Sequence, residues 1–217
     1  MLRLEDVSYR YKTGDRDVLK NLSVTFEEGK MYAIVGPSGT GKTTLLSIIA
    51  GLCRPTGGNV FIDEKDLAAI NLNQYRREDI TIIFQSFHLF PLLTALENVS
   101  YLLETRGVKR KDAEARAKEL LSIVGIDESK HRRYPANLSG GEQQRVAIAR
   151  ALSTGARVIL ADEPTGNLDS ANSDAIVNIL QALAHNEGYC VIVVTHNPAI
   201  AELSDVVLRM SDGVFVE

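Results

Sequence analysis

The sequence predicts an α/β fold with a mostly parallel central sheet, and two patterns support that prediction. Short runs rich in valine and isoleucine recur along the chain, which is typical of strands buried on both faces. Segments with apolar residues at helical spacing lie between several of these runs, as in strand–helix–strand units. The expected strands are residues 31–35, 80–84, 158–161 and 191–195, with 206–210 as a fifth. The expected core helices are residues 42–52, 143–152 and 171–184.

An N-terminal antiparallel β subdomain is expected beside this central sheet. The first 30 residues and residues 59–66 show short alternating strands, which are separated by turn-forming stretches. Short alternating strands joined by turns are typical of hairpins, so these segments indicate a small antiparallel sheet.

A helical subdomain is expected to be inserted into the α/β core at about residues 86–152. Apolar residues recur at helical spacing over 92–105 and 112–124 in that region. The sequence contains no internal repeat and no long linker, so we expect residues 1–217 to form one domain. The predicted elements occupy nearly all of these residues, so no additional regulatory domain is expected.

The composition argues against several classes of protein. The chain has 24 basic and 28 acidic residues, giving a net charge of −4 and no positive field that would attract nucleic acid. No stretch of 18 apolar residues occurs, so no transmembrane helix is expected. The first residues lack the apolar segment of a secretory signal. Cys53 and Cys190 lack metal-ligand spacing, and we expect reduced thiols.

The strongest functional signal is the P-loop pattern at residues 36–43, Gly-Pro-Ser-Gly-Thr-Gly-Lys-Thr. An apolar strand precedes the loop and a helix follows it, so backbone N–H groups and the helix N-terminus can bind a polyphosphate. We expect Lys42 to reach the β- and γ-phosphates and the Thr43 hydroxyl to bind Mg²⁺. The core is therefore predicted to be a P-loop NTPase. Its expected nucleotide-binding residues here are Gly36, Pro37, Ser38, Gly39, Thr40, Gly41, Lys42, Thr43 and Thr44.

A second motif, residues 158–163, is an apolar strand that ends in two carboxylates. Acidic residues at a strand end are common, but downstream of a P-loop on the same sheet they indicate a Walker B motif. We expect Asp162 to hold Mg²⁺ through its water shell. Glu163 is placed to orient or deprotonate the water that attacks the γ-phosphorus. Hydrolysis of the nucleotide, and not binding alone, is therefore predicted.

A third motif, Leu-Ser-Gly-Gly-Glu-Gln-Gln-Arg at residues 138–145, leads into a helical segment. Ser139 and Glu142 have the spacing of a capping box, which is a purely structural explanation. A capping box does not require Gly140 and Gly141, which weaken a first helical turn. We interpret them as an exposed glycine pair at a helix N-terminus, suited to the close approach of an anion.

With these motifs the sequence closely resembles the ATP-binding subunits of ABC transporters over essentially its whole length. The resemblance implies ATP and Mg²⁺ as cofactors. It also implies that Ser139, Gly140, Gly141 and Glu142 bind the ATP held in the P-loop of a partner subunit. The active unit is then a head-to-tail dimer of two copies holding two ATP. Such a closed pair has isologous two-fold symmetry.

The resemblance also assigns roles to four residues elsewhere in the chain. Gln85 matches the Q-loop glutamine, which contacts Mg²⁺ and couples to the helical subdomain. His196 matches the switch histidine that hydrogen-bonds the γ-phosphate. Residues 167–169 match the D-loop, which links the two sites across the dimer, and Asp169 is expected to bind nucleotide there. Tyr11 matches the aromatic residue that stacks on adenine. Glu163, His196, Gln85 and Lys42 form the expected catalytic set, and Thr43, Gln85 and Asp162 the expected metal set.

Within that family, residues 161–170 and the signature most resemble the lipoprotein-release and macrolide-export group. This implies a separate transmembrane permease, to which the chain attaches at the cytoplasmic face of the membrane. Phe87 and Phe90 are candidates for that contact, with a place in the helical core as the alternative. Residues 84–98 are also similar to amino-acid importers, which keeps an importer subunit as an alternative. A non-transport ABC ATPase acting on nucleic acid or ribosomes is a further alternative, although we expect no direct nucleic-acid partner.

Overall fold

Two β-sheets and the helices packed on them organise residues 1–12 and 14–216, the part of the chain that the computed structural model describes. The strands are β1 (Leu2–Tyr9), β2 (Leu19–Phe26), β3 (Met31–Val35), β4 (Gly57–Ile62), β5 (Lys65–Asp66), β6 (Ile80–Phe84), β7 (Val158–Asp162), β8 (Cys190–Thr195), β9 (Val206–Ser211) and β10 (Val214–Val216). The α-helices are α1 (Lys42–Ile49), α2 (Leu72–Glu78), α3 (Ala95–Thr105), α4 (Arg110–Ile123), α5 (Gly140–Leu152), α6 (Ser170–His185) and α7 (Pro198–Leu203). Short 3-10 helices lie at Glu128–Lys130 and Pro135–Asn137.

The central sheet has the strand order β10-β9-β3-β8-β7-β6. Strands β9, β3, β8, β7 and β6 run parallel, and only β10 is antiparallel, as the second strand of a hairpin with β9. The prediction of a mostly parallel sheet is confirmed. Because the carboxyl ends of parallel strands meet at one edge, the loops after β3, β6, β7 and β8 converge there.

The smaller sheet, with order β2-β1-β4-β5, is antiparallel throughout. Its inner face follows the period of two expected of a half-buried sheet, with Leu2 and Leu4 buried on β1. Leu2 pairs across the ladder with Phe26, which is also fully buried. The predicted N-terminal antiparallel subdomain is therefore confirmed.

Side chains of the central strands are divided between two hydrophobic cores. On β3, Met31 and Ala33 point into a core shared with the helical region, whereas Tyr32 and Ile34 point into a core shared with the small sheet. This alternation explains why the strand is apolar along its whole length, since a strand covered on both faces has no solvent-facing position.

Helices α3, α4 and α5 form the helical region that the sequence predicted between the core strands. Val99, Leu120 and Val146, one from each helix, are buried in the same hydrophobic core. The chain enters α3 through a capping box between Thr94 and Glu97. Asn98 is fully buried there and donates from its amide to the carbonyls of Phe90, Leu93 and Thr94.

Several element boundaries differ from the expected ones for local reasons. Helix α1 ends at Ile49 because Gly51 adopts a left-handed φ of 65°, and α3 begins only after its cap, Thr94. The short elements α2, α7 and β10 were not expected from periodicity. No helix of the described residues is long and apolar enough to cross a bilayer.

Candidate functional site

The loop between β3 and α1 carries the P-loop residues and is held closely by its neighbours. Gly41 is the residue before the first turn of α1 and has a φ of 101°, a conformation that favours glycine. A Cβ on Gly36 would lie 2.2 Å from the carbonyl oxygen of Met210 on β9, and one on Gly41 would lie 2.8 Å from Leu19 on β2. Both positions therefore require glycine.

Lys42 opens α1, and its side chain lies over the loop. It is only 8% exposed, and its Nζ donates to the carbonyl oxygens of Gly36 at 2.7 Å and Pro37 at 2.8 Å. These bonds place a positive charge at the helix N-terminus, where the helix dipole also favours an anion. The arrangement is suited to binding a phosphate group.

An open cleft of about 440 Å³ adjoins this loop. Residues that the sequence predicted from separate parts of the chain meet in this cleft. They are P-loop residues, the two Walker B carboxylates and Tyr11. Val18 and Val194 also line it, and sequence reasoning missed them because an isolated valine carries no chemical signal. The lining residues are Tyr11, Val18, Ser38, Gly39, Gly41, Lys42, Thr43, Thr44, Asp162, Glu163 and Val194.

Tyr11 forms part of the rim of this cleft. Its ring is half exposed, and its hydroxyl is 3.0 Å from the Thr44 Oγ1. Tyr9 packs edge-on against it, with ring centroids 5.0 Å apart. An exposed ring held at its hydroxyl end and along one edge can present a face to a planar ligand.

Asp162 ends β7 and lines the cleft together with Thr43. Burial and the neighbouring charge of Glu163 raise the pKa of Asp162, while the Thr43 hydroxyl and the Lys42 charge act in the opposite direction. A cation at this place would stabilise the charged carboxylate. Carboxylate and hydroxyl oxygens are ligands that suit Mg²⁺, which usually binds through one or two carboxylates together with substrate phosphates. The described residues contain no group of three or more histidine, cysteine, aspartate or glutamate side chains that could hold a metal ion.

Glu163 follows Asp162 in a tight turn with a φ of 48°, a conformation that is uncommon for a residue other than glycine. Its Oε1 lies 2.9 Å from the His196 Nδ1, and its main-chain N–H donates to the Val194 carbonyl. The His196 ring is otherwise largely exposed after β8. The structure thus places the predicted switch histidine in direct contact with the predicted general base, and Glu163 lines the cleft.

The predicted signature residues lie in a second group at the N-terminus of α5, outside the lining of the cleft. Ser139 and Glu142 form the capping box, with the Ser139 main-chain N–H donating to the Glu142 carboxylate at 2.9 Å. The ion pair with Lys130 and that backbone bond lower the pKa of Glu142. The Glu142 carboxylate is therefore already bonded to Lys130 and Ser139 of its own chain.

The expectation of an exposed glycine pair at this helix is wrong for Gly141, which is buried. A Cβ there would lie 2.1 Å from the Asn172 Oδ1 on α6, so close packing of two helices explains this glycine. Gly140 is partly exposed and remains accessible at the helix N-terminus. Asp169 caps α6 in the same group by accepting bonds from Asn172, which lower the pKa of Asp169.

Gln85 follows β6 but is not among the residues that line the cleft. Its amide lies 3.2 Å from the Asn167 side chain instead. Of the three predicted metal ligands, the structure therefore brings Thr43 and Asp162 together and places Gln85 next to the D-loop.

A comparison with protein-family models matches the ABC transporter family over residues 19–166, which is more than half of the chain. The chain belongs to the ABC transporter family. This ABC protein is 44% identical to the lipoprotein-releasing system ATP-binding protein LolD of Geobacter metallireducens, over 98% of its own length and 96% of LolD. It is also 44% identical to the macrolide export ATP-binding/permease protein MacB of Shigella flexneri, but spans only 34% of that longer protein.

Solved structures of ABC cassettes share the fold. The dimeric structure of the cassette MJ0796 from Methanocaldococcus jannaschii superposes with a TM-score of 0.89 at 40% identity, covering 100% of this chain and 97% of that one. A second MJ0796 structure, a dimeric post-hydrolysis state bound to ADP and phosphate, gives the same TM-score at 39% identity over the same coverage. The ABC protein described here is accordingly an ATPase with the ABC cassette fold.

Proposed function

We propose that this ABC ATPase binds and hydrolyses Mg²⁺-ATP in order to power a separate transmembrane permease of an export or mechanotransmission system. The observation that carries the proposal is the single cleft in which Lys42, Asp162 and Glu163 meet. The likeness to LolD and MacB, whose names state lipoprotein release and macrolide export, favours the export group over an importer. The chain would then work at the cytoplasmic face of a membrane, held there by its permease.

In this proposal each residue at the cleft has a distinct role. The P-loop N–H groups and Lys42 bind the phosphates, and Tyr11 stacks on the adenine. Asp162 and Thr43 would hold Mg²⁺, which supplies charge neutralisation on the β- and γ-phosphates when it is bound. Glu163 orients and deprotonates the attacking water, while His196 positions the Glu163 carboxylate and hydrogen-bonds the γ-phosphate.

The signature residues would act on a second copy of the chain. Ser139 and Gly140 lie at the exposed N-terminus of α5 and outside the cleft of their own chain, so a phosphate that they bind must be held by another subunit. The dimeric structures of MJ0796 support a pair of this kind. We therefore propose a head-to-tail homodimer with two ATP at the interface.

Replacement of Ser139 tests the dimer. Ser139→Arg is expected to leave nucleotide binding by the monomer within about twofold of the unmodified chain while ATPase activity falls by roughly 100-fold, the effect of losing one donor to transition-state charge. Activity and light scattering are measured together over a range of protein concentrations.

A second variant separates this role from the capping role of Ser139. Ser139→Asp retains a capping side chain, so helix α5 is preserved, but it places a negative charge opposite the partner's phosphates. Ser122→Arg, at an exposed position on α4, is the matched control. Turnover that is linear in protein concentration and unaffected by either Ser139 variant would contradict the proposed dimer.

A surface beside α3 is the proposed permease contact. Phe90 and Tyr101 are both exposed and pack edge-on with ring centroids 5.5 Å apart. Arg150 lies over the Phe90 ring, with its guanidinium carbon 5.6 Å from the centroid. Phe87, the other sequence candidate, is half-buried in the adjoining groove with Phe84 and Leu102. Exposed aromatic side chains beside a groove are typical of a protein contact.

Phe90→Glu tests this contact. We expect at least a tenfold loss of an integral membrane protein that copurifies with the chain from detergent-solubilised membranes, because a charge replaces an aromatic side chain that the proposed contact would bury. The copurified chain is identified by mass spectrometry, and ATP binding is expected to stay unchanged. Val108→Glu, an exposed apolar position after α3, is the control. Retention of the same membrane protein by Phe90→Glu would count against this surface.

A further inference from the structure

Thr195, the last residue of β8, carries a hydroxyl that contacts the Glu163 carboxylate. The residue is fully buried, and its Oγ1 lies 3.3 Å from the Glu163 Oε2. The main-chain N–H of Asn197 donates to the same Oγ1 at 3.0 Å. Because a buried hydroxyl needs hydrogen-bond partners, these two contacts account for a polar side chain at this position.

The two partners of the Thr195 hydroxyl determine where its hydrogen points. An N–H group can only donate, so the Oγ1 accepts from Asn197 and its own hydrogen is left for another partner. Among residues 1–12 and 14–216, the hydrogen-bond acceptor for this hydroxyl is the Glu163 Oε2. Thr195 is therefore a donor to the carboxylate.

The end of β8 holds Glu163 by its main chain as well as by its carboxylate. The Glu163 N–H donates to the Val194 carbonyl at 2.9 Å, and the Glu163 Oε2 accepts the His196 main-chain N–H at 3.4 Å. The His196 ring contacts the Oε1, but that side chain is 74% exposed. Of the two side chains in the described part of the chain that bond this carboxylate, Thr195 is thus the buried one.

We propose that Thr195 is a positioning residue that fixes the orientation of the Glu163 carboxylate at the cleft, which Glu163 lines. The last torsion angle of a glutamate side chain is broad, so a carboxylate without partners adopts many orientations. A bond from a buried hydroxyl to Oε2 restricts that rotation and keeps Oε1 at the His196 ring. A general base acts only within hydrogen-bond reach of the proton that it takes, so a fixed orientation favours catalysis. This role rests on the proposed function, in which Glu163 is the base.

The first test compares Thr195→Val, which keeps the shape of the side chain but removes the hydroxyl, with the unmodified chain. Steady-state phosphate release is measured over a range of ATP concentrations at saturating Mg²⁺. We expect kcat to fall about fivefold to 20-fold, as for the loss of one hydrogen bond to a charged group. The KM for ATP should change by less than about twofold, because the P-loop and Lys42 are untouched.

Two further variants at this position and one control make the result specific to the hydroxyl. Thr195→Ser retains the hydroxyl and should keep at least about half of the unmodified kcat, whereas Thr195→Ala should lose as much as Thr195→Val. Thr81→Val makes the same change at a buried threonine of β6 and should leave kcat and KM unchanged. The melting temperature of each variant, from circular dichroism, identifies the folded ones.

A comparison in a Glu163→Gln background separates this role from a general effect on the turn after β8. With the base already absent, Thr195→Val should lower the residual hydrolysis by less than about twofold. Equal losses with and without the Glu163 carboxylate, an unchanged kcat in Thr195→Val, or no recovery in Thr195→Ser would each overturn the role of Thr195 alone. Normal turnover in Glu163→Gln would instead refute the proposed function at this residue, and the role of Thr195 with it.

Discussion

Glu163→Gln is expected to bind ATP but to hydrolyse it about 100-fold to 10,000-fold more slowly, the usual contribution of a general base. Glutamine keeps the size of the side chain and can still accept the bond from His196, but it cannot take a proton from water. ATP should therefore remain bound, and the dimer should accumulate. Steady-state phosphate release gives the rate, and size-exclusion chromatography with light scattering gives the dimer.

The control for this variant is Glu187→Gln, which makes the same change at an exposed position between α6 and β8. It should hydrolyse ATP at the rate of the unmodified chain. Because the Glu163 carboxylate also contacts His196, the melting temperature of each variant is compared by circular dichroism. Normal turnover in a folded Glu163→Gln protein would refute the assignment of Glu163 as the base.

Lys42→Ala is expected to weaken ATP binding by about 10-fold to 150-fold, which corresponds to the loss of a charged hydrogen-bonding group worth about 1.5–3 kcal/mol. The Lys42 Nζ is held over the loop by the Gly36 and Pro37 carbonyls, so its charge is already in place for a phosphate. Hydrolysis should fall with binding, since the same charge stabilises the transferring phosphoryl group. A fluorescent nucleotide titration measures the affinity.

Lys111→Ala serves as the control for the loss of one positive charge, because Lys111 is exposed on α4. Only Lys42→Ala should weaken binding, and the difference should persist at high salt, where exposed charges are screened. Unchanged affinity in Lys42→Ala would contradict the phosphate-binding role of this residue.

The core strands could be predicted closely because they are buried on both faces. Residues 31–35 and 80–84 coincide with β3 and β6, since every position of a covered strand must be apolar or neutral. Helix boundaries were less accurate because caps decide them. Helix α5 begins at Gly140 through the Ser139 capping box, three residues before helical spacing becomes visible.

The site was predictable where a motif is contiguous in sequence and less so where the fold assembles it. The P-loop and Asp162–Glu163 were found from local patterns, and the structure places them at one cleft. Spacing alone does not distinguish Tyr11 from Tyr32, of which only the second is buried in the core. No sequence signal pointed to Gln144, because its buried amide donates to the carbonyls of Phe84 and Pro164, which lie 60 and 20 residues away.

The close packing of the phosphate loop has a thermodynamic consequence. Gly36 lies against a carbonyl of β9 and Gly41 against β2, so strands of both sheets restrict the loop. The conformational entropy of the loop is therefore lost when the chain folds and not when a nucleotide binds, which favours nucleotide affinity. By linkage, a nucleotide that binds only the folded chain stabilises it, by about 2.7 kcal/mol at a hundredfold excess over Kd. Thermal stability and occupancy of the cleft are thus coupled through a loop that spans both sheets.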